Sequence, residues 1–338
     1  MLRVALAYND DRGLGSAELL DSLAVEGVRE AASAVGDALR GLGHLVLPIP
    51  VRGSPEGLIS ALRTAAPDVV FNLVESINGD ARLEAAAAHL YRWLELPFTG
   101  SDPATLSLAL DKGRTKAVLA AAGIPTPRGG VLESAADLAP LSPPYMVKPL
   151  RLDASHGIDA GSVTADAEAA LARAAEIRRK YGQPALVEEY IEGRELNVSM
   201  LYDGHTLNAL SPGEIDFSGL PKDSPRILTY AAKWEPGSPE YGATPAVAAA
   251  EVPPRVLEVA RAAFLALELH GYGRVDLRLH PARGPFVLEV NPNPDLSLGA
   301  GFQLAAARSN LSYEALIAKI LAAALDRDHN PRASAERS

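Results

Sequence analysis

Two runs near the end of the chain combine hard oxygen ligands with a guanidinium at strand spacing: Gly273-Arg274-Val275-Asp276-Leu277-Arg278-Leu279 and Phe286-Val287-Leu288-Glu289-Val290-Asn291. Each alternates apolar and polar residues, as half-buried strands do. The Pro/Gly-rich stretch 280–285 between them suits a reversal. In an antiparallel pair, strict alternation puts Arg274, Asp276 and Arg278 on one face. On the second strand it puts Val287, Glu289 and Asn291 on one face and Phe286, Leu288 and Val290 on the other. One face thus offers two carboxylates, an amide oxygen and a guanidinium. Mg²⁺ typically takes one or two carboxylates together with phosphate oxygens and water. A solvated strand face carrying surface ion pairs would show the same pattern.

Three lysines stand where a cation needs a reason. Lys148 ends the apolar run Tyr145-Met146-Val147, Lys112 sits in a largely apolar helical segment, and Lys233 lies in a long polar loop. A cation entering a packed layer is costly unless paired, and phosphate is a good partner. Taken singly, each also reads as a surface residue. The loop Leu150-Arg151-Leu152-Asp153-Ala154-Ser155-His156-Gly157-Ile158 combines small residues with donors that can close over phosphates. Neither standard phosphate loop is present, and Gly13-x-Gly15 lacks a third glycine.

The elements that must position these groups follow from periodicity. Strands at 2–8, 45–49 and 68–72 alternate with helices, an order that predicts an open parallel sheet with polar groups at the strands' C-terminal ends. A helix is expected at 82–94, and another from Ser101 to the break at Gly123-Ile124-Pro125. Strands then fall at 130–132, 145–148 and 160–163, with a helix at 164–181. A hairpin turns at Asp203-Gly204, a polar loop runs over 211–242, and helices cover 254–269 and 312–325. The expected division is an N-terminal α/β domain (1–100), a small subdomain (101–185), a large subdomain (186–326) and a polar tail (327–338).

Composition narrows the class. The 338 residues, 48% hydrophobic and 22% charged, are those of a globular protein of more than one unit. A net charge of -10 speaks against a broad nucleic-acid surface, and the absence of cysteine excludes disulfide and thiolate chemistry. The N-terminal apolar run is cut short by Asn9-Asp10-Asp11, and no stretch is long enough to span a membrane, so a cytoplasmic protein without nucleic-acid or membrane partners is expected.

Taken together, these residues resemble the ATP-grasp superfamily and, within it, the D-alanine–D-alanine ligases, from about residue 2 to residue 325. The resemblance is carried by Phe98-Thr99-Gly100-Ser101, Leu110-Asp111-Lys112, Val147-Lys148-Pro149, Glu188-Glu189-Tyr190-Ile191-Glu192-Gly193-Arg194-Glu195, Tyr230-Ala231-Ala232-Lys233, Gly273-Arg274-Val275-Asp276 and Leu288-Glu289-Val290-Asn291-Pro292, in order and at consistent spacing. It implies an ATP-grasp fold, α/β and α+β, in which an open parallel N-terminal domain precedes two α+β subdomains that grip ATP. It also implies an ADP-forming carboxylate–amine ligase working through an acylphosphate, with two Mg²⁺ (or Mn²⁺) ions and small-molecule carboxylate and amine substrates. A homodimer is compatible with it.

By that resemblance Lys112 and Lys148 would hold phosphates, and Lys233 would reach the terminal one. Glu188, Glu189 and Ile191 would line the adenine hinge, with Leu288 beneath the ring. Glu195 would accept ribose hydroxyls, and Asp276, Glu289 and Asn291 would hold the metals. Arg274 would stabilise the acylphosphate and oxyanion, Ser155 would lie near the substrates, and Glu26 would anchor an ammonium group. A solvated Glu26 is equally in keeping with its surroundings, and His156, beside Ser155, is a candidate to shuttle the amine's proton near neutral pH, although a plain loop histidine fits its setting better. The family's tyrosine after the loop lysine is Trp234 here, its Pro-Gly step is Pro294-Asp295, and its Ser-Leu pair is Ala300-Gly301. These departures point away from two D-alanines and toward an amine-bearing acceptor, although Asp295 also suits an N-cap. On sequence alone, an ATP-grasp phosphotransferase and a non-catalytic nucleotide-binding protein remain as alternatives.

Overall fold

The computed structural model describes residues 1–11 and 22–326, with side chains in the second stretch described from residue 27 onward. Gly13, Gly15 and the Glu26 side chain therefore lie outside the described residues. The first sheet holds β1 (Arg3–Asn9), β2 (Leu45–Val51) and β3 (Val69–Leu73), all parallel in the order β2-β1-β3. The crossovers are α1 (Ser22–Gly41) and α2 (Pro55–Ala65), and α3 (Glu84–Trp93) follows. This is the alternation the sequence predicts.

The expected single helix after Ser101 is instead two, α4 (Pro103–Leu110) and α5 (Lys112–Ala121). Asp111 is extended and caps α5 by accepting from the Arg114 N–H at 3.1 Å, while its other oxygen holds Arg151 at 2.8 Å. The break puts Lys112 at the first turn of a new helix rather than inside an old one.

The second sheet comprises β4 (Gly129–Leu132), β5 (Tyr145–Pro149), β6 (Val163–Thr164) and β7 (Ala185–Glu189), antiparallel in the order β4-β7-β5-β6. The expected strand at 160–163 is a short 3-10 turn leading into the two-residue β6, and α6 (Ala167–Tyr181) starts later than 164, behind its Asp166 cap. Tyr145, Val147, Ala185 and Val187 bury against Ala170, Ala174 and Ile177 of α6. Alternation turns Met146, Lys148, Leu186 and Glu188 to the other face, toward the cleft.

The third sheet is built from β8 (Arg194–Tyr202), β9 (Leu207–Ala209), β10 (Gly213–Ile215), β11 (Ala246–Ala248), β12 (Gly271–His280) and β13 (Gly284–Asn291). A short helix, α7 (Tyr230–Trp234), stands in the polar loop. The helix α8 (Pro254–Ala266) packs its Val256, Val259, Ala263 and Phe264 on Val198, Met200, Val275 and Leu277. The last helices, α9 (Gly301–Arg308, unanticipated) and α10 (Tyr313–Asp326), bury Phe302, Leu316, Ile317 and Ile320 in the same core as Val4, Leu6 and Phe71 of the first sheet. The two ends of the chain thus share one apolar layer.

Between β7 and β8, Gly193 adopts φ +130°, and a Cβ there would collide with the Leu279 carbonyl oxygen of β12. Gly193→Ala should therefore cost about 2 kcal/mol or more in urea unfolding. An unchanged midpoint would show that this turn is not held so tightly.

Candidate active site

Register decides which side chains meet. Arg274 lies opposite Asn291 and Asp276 opposite Glu289, so the expected oxygen face forms. On the other side of β12, Arg274, Asp276 and Arg278 face Ser199, Asn197 and Glu195 of β8. One expectation fails. The register shifts between Asp276 and Leu277, which leaves Leu288 as an extra residue in β13. Val287 therefore pairs with Leu277 and is fully buried in the apolar core, not on the polar face. Phe286 moves to the charged face opposite Arg278, and Leu288, half-buried and outside that core, is released from strict alternation beside Glu289.

Every charged group brought to this face already has a partner. Arg274 grips Asp276 in a bidentate pair, Nε to Oδ1 at 2.7 Å and a second nitrogen to Oδ2 at 2.8 Å. The Asn197 amide also donates to Asp276 Oδ1 at 2.8 Å. Arg278 holds Glu195 at 2.7 Å and stands over the Phe217 ring. The Asn291 Oδ1 accepts from the Asn293 N–H at 2.9 Å.

Lys112 Nζ bonds Asp153 Oδ1 at 2.8 Å, Glu289 Oε1 at 3.0 Å and the Leu152 carbonyl at 2.7 Å. Burial works against its ammonium, but the two carboxylates outweigh burial and raise it. Burial likewise works to raise Glu289, yet Lys112 above all holds it down to about 2. Asp153 is pushed up to about 6, by burial first and against Lys112. One ammonium thus serves two carboxylates, leaving a surplus of negative charge beside Asp276 and Asn291.

The second sheet carries the opposite imbalance. Glu188, 2% exposed, accepts from Lys148 at 2.6 Å and from Lys116 at 2.9 Å. Its carboxyl is lowered, against burial, by Lys116 and Lys148, whereas Lys116 is itself lowered by burial and by the neighbouring ammonium of Lys148. The two shifts answer different neighbours. The carboxylate has cations to spare, and the cations do not have carboxylates to spare. Glu188 therefore pins two lysines with its side chain, a contact the expected hinge role did not include. Lys116 also donates to Thr126 Oγ1 at 3.0 Å, and that hydroxyl donates to the Val287 carbonyl at 2.9 Å, so the linker after α5 is tied to β13.

The remaining expected residues frame the cleft. Ile191 is buried, and Glu189 pairs with Arg283 at 2.7 Å. Ser155, at φ +64°, belongs to the loop 150–158, which α7 covers: Trp234 Nε1 donates to the Ala154 carbonyl at 2.9 Å and the Tyr230 N–H to the Ile158 carbonyl at 2.8 Å. Lys233 stacks over the Trp234 ring, and its ammonium is lowered by burial and then by Arg274. A Cβ at Gly27 of α1 would lie 3.8 Å from that ring, which places the first sheet's helix at the same loop. Asp295 Oδ1 accepts from the Ser297 N–H at 2.8 Å and its hydroxyl at 2.6 Å, the turn-capping arrangement its position suits.

Sequence reasoning passed over Lys116, Asp153, Asn197 and Asn293 as site residues. Two of them carried a signal: Lys116 lies one helical turn from Lys112 on α5, and Asn197 alternates with Glu195 along β8. Asn293 accepts from the Tyr272 hydroxyl at 2.8 Å and donates to Glu84 and to the Val74 carbonyl, both at 3.1 Å. It bolts the first sheet to the end of β13.

The donor set fits a divalent metal. Asp276, Glu289 and Asn291 converge on one face where negative charge is in excess, and all three are hard oxygen ligands. Among the described residues no cluster of three His, Cys, Asp or Glu gathers anywhere, so here the donors are two carboxylates and one amide oxygen. No helix among them is long and apolar enough to cross a membrane.

Comparison with known proteins gives one answer. The D-ala D-ala ligase C-terminus family matches residues 132–322. A D-alanine--D-alanine ligase of Gluconobacter oxydans is 34% identical over 83% of this chain and 88% of its own length. A protein of Sinorhizobium fredii called y4sG and described as uncharacterized is 33% identical over 86% of each. Among solved structures, a D-alanine--D-alanine ligase of Bacillus anthracis complexed with ATP superposes with a TM-score of 0.75, covering 98% of this chain and 100% of that one at 18% identity, which speaks for the fold.

Glu289 held down to about 2 means that its paired state contributes stability above the unfolded glutamate's 4.5, lost as the pH falls from there toward 2. Glu289→Gln should flatten the fall of the unfolding midpoint over that window. An unchanged slope would contradict the pairing.

Proposed function

The chain belongs to the D-alanine–D-alanine ligase family and is an ATP-grasp ligase that forms C–N bonds; from that premise we propose that it joins a carboxylate to an amine-bearing acceptor other than a second D-alanine. The observation that carries the reading is the paired charge imbalance of the cleft, two lysines on Glu188 and two carboxylates on Lys112. A triphosphate relieves the first and a divalent cation the second.

In this reading ATP lies between the second and third sheets. Lys148 and Lys112 take its phosphates, and Lys233 reaches the terminal one. Ile191, Leu288 and the backbone of Glu188 and Glu189 enclose the adenine, and Glu195 receives the ribose. Asp276, Glu289 and Asn291 hold two Mg²⁺, which neutralise phosphate charge when bound. The bulge at Leu288 supports this division, because it frees the apolar side chain from alternation beside the metal ligand. The substrate carboxylate attacks the terminal phosphorus in line, ADP leaves, and the amine then displaces phosphate from the acylphosphate. Arg274 is placed to stabilise the developing oxyanion. Ser155 sits in the loop that closes on the substrates, and Glu26 takes the ammonium of the first one. Residues 1–100, 101–185 and 186–326 divide this work as substrate, nucleotide and metal units, ahead of the tail 327–338.

The different acceptor is supported by what replaces a carboxylate grip. Ala300 and Gly301 open α9 with no capping side chain, and Asp295 brings a negative charge instead. A substrate carboxylate there would meet the like charge of Asp295, which Ser297 already caps.

Incubation with ATP, Mg²⁺ and a panel of D- and L-amino acids should release phosphate and yield a dipeptide. Glu289→Gln should reduce phosphate release by about 100-fold or more. A phosphorylated product with no amide would overturn the ligase step, and full activity in Glu289→Gln would overturn the metal site.

A further inference from the structure

Amide formation needs a proton removed from the incoming ammonium before its nitrogen can attack; His156, the sequence's candidate for this, lies with Nδ1 2.8 Å from the Asp153 carbonyl and its ring against Tyr230. We propose that Glu75 orients the attacking amine and takes its proton, a role that rests on the ligase reading. Glu75 stands just beyond β3, at the C-terminal edge of the parallel sheet. Its backbone N–H donates to Asn9 Oδ1 at 3.1 Å, and the neighbouring Val74 carbonyl accepts from Asn293 at 3.1 Å. That second bond ties the end of β3 to the segment just past Asn291, so Glu75 and Asp295 flank a single joint. Asn9 is held in turn by buried Asp11, which also accepts from Ser76 at 2.5 Å and from the Gly79 N–H at 3.0 Å. The whole turn is thereby fixed under its carboxyl.

Asp276, Glu289, Asp153, Glu188 and Glu195 each hold a cation. The Glu75 side chain opens to solvent, and among the described residues its carboxyl has neither an ion-pair nor a hydrogen-bond partner. The charged and titratable groups around it are Asp295, Asp153 and Glu84, with the Tyr272 hydroxyl, on one side of the balance and Lys233 on the other. Although the residue is exposed at its surface, the carboxyl is pushed up to about 8, first by the desolvation that nearby protein imposes and then by Asp295, against Lys233. A group so placed is matched to accept a proton near neutral pH.

In the step itself an N–H bond of the ammonium breaks toward a Glu75 oxygen, and the freed pair forms the C–N bond at the acyl carbon. The C–O bond to phosphate breaks, and phosphate departs with the electron pair of that C–O bond and takes the second nitrogen proton. Amide, inorganic phosphate and protonated Glu75 result, and Glu75 returns its proton to solvent.

Hydroxylamine separates this role from the rest of the reaction, because it is already neutral near pH 7 and traps an acylphosphate without a base. With ATP, Mg²⁺ and the amino-acid panel, the wild type should give hydroxamate with hydroxylamine and dipeptide without it. Glu75→Gln should keep hydroxamate formation while dipeptide formation falls about 100-fold or more. It should also lose the rise of kcat/KM for the amino-acid acceptor through pH about 8, and Glu75→Asp should recover part of both. Equal loss of the two products, or dipeptide formation with its pH limb intact in Glu75→Gln, would overturn the assignment. Failure of the wild type to form either product would overturn the ligase reading, and this role with it.

Discussion

Burying charge is tolerable only when each charge has a partner, and this constraint shapes the whole cleft. The second and third sheets each bring ionic side chains inward on the face opposite their helices. Lys148 and Glu188 do so from one sheet, and Arg274, Asp276, Arg278, Glu195 and Glu289 from the other. The pairs nearly balance but do not close: one carboxylate serves two lysines, and one lysine serves two carboxylates. In the ligand-free protein each imbalance leaves one charge only partly compensated. Both are what a bound triphosphate and a divalent cation would complete. Binding then exchanges partners instead of stripping them, so the desolvation cost is met in the free protein before the ligand arrives.

The scaffold keeps these groups in register through ordinary apolar packing. The alternation of Val275 and Leu277 against α8 leaves Arg274 and Asp276 no choice of face. The same holds for Val147 and Val187 against α6. The first sheet joins through Asn293 and through the apolar layer it shares with α9 and α10. The end at the first sheet is thus held by hydrogen bonds and a core, while the faces of the second and third sheets are held mainly by ion pairs.

Much of this was legible in the sequence because strand alternation and isolated lysines are local signals. The parallel first sheet, the β12–β13 hairpin and the convergence of Asp276, Glu289 and Asn291 all follow from spacing. The bulge at Leu288 did not, since one extra residue inverts every face beyond it without altering composition, and it moved Val287 into the core. The break at Asp111 was hidden because the residues on both sides suit a helix, and it is Arg151, forty residues away in the chain, that helps fix the turn. Asn293 and Glu75 look like ordinary loop residues until β3 and the end of β13 are brought together. Lys116 was visible one turn from Lys112, but its partner Glu188 comes from a strand 72 residues on.

The exchange of partners is tested most directly by titrating the protein with ATP in the presence and absence of Mg²⁺ and following the heat of binding. Mg²⁺ should tighten ATP binding by about tenfold or more, a coupling of about 1.4 kcal/mol. Asp276→Asn should remove most of that coupling. Equal affinity with and without the metal, or coupling undiminished in Asp276→Asn, would contradict the account.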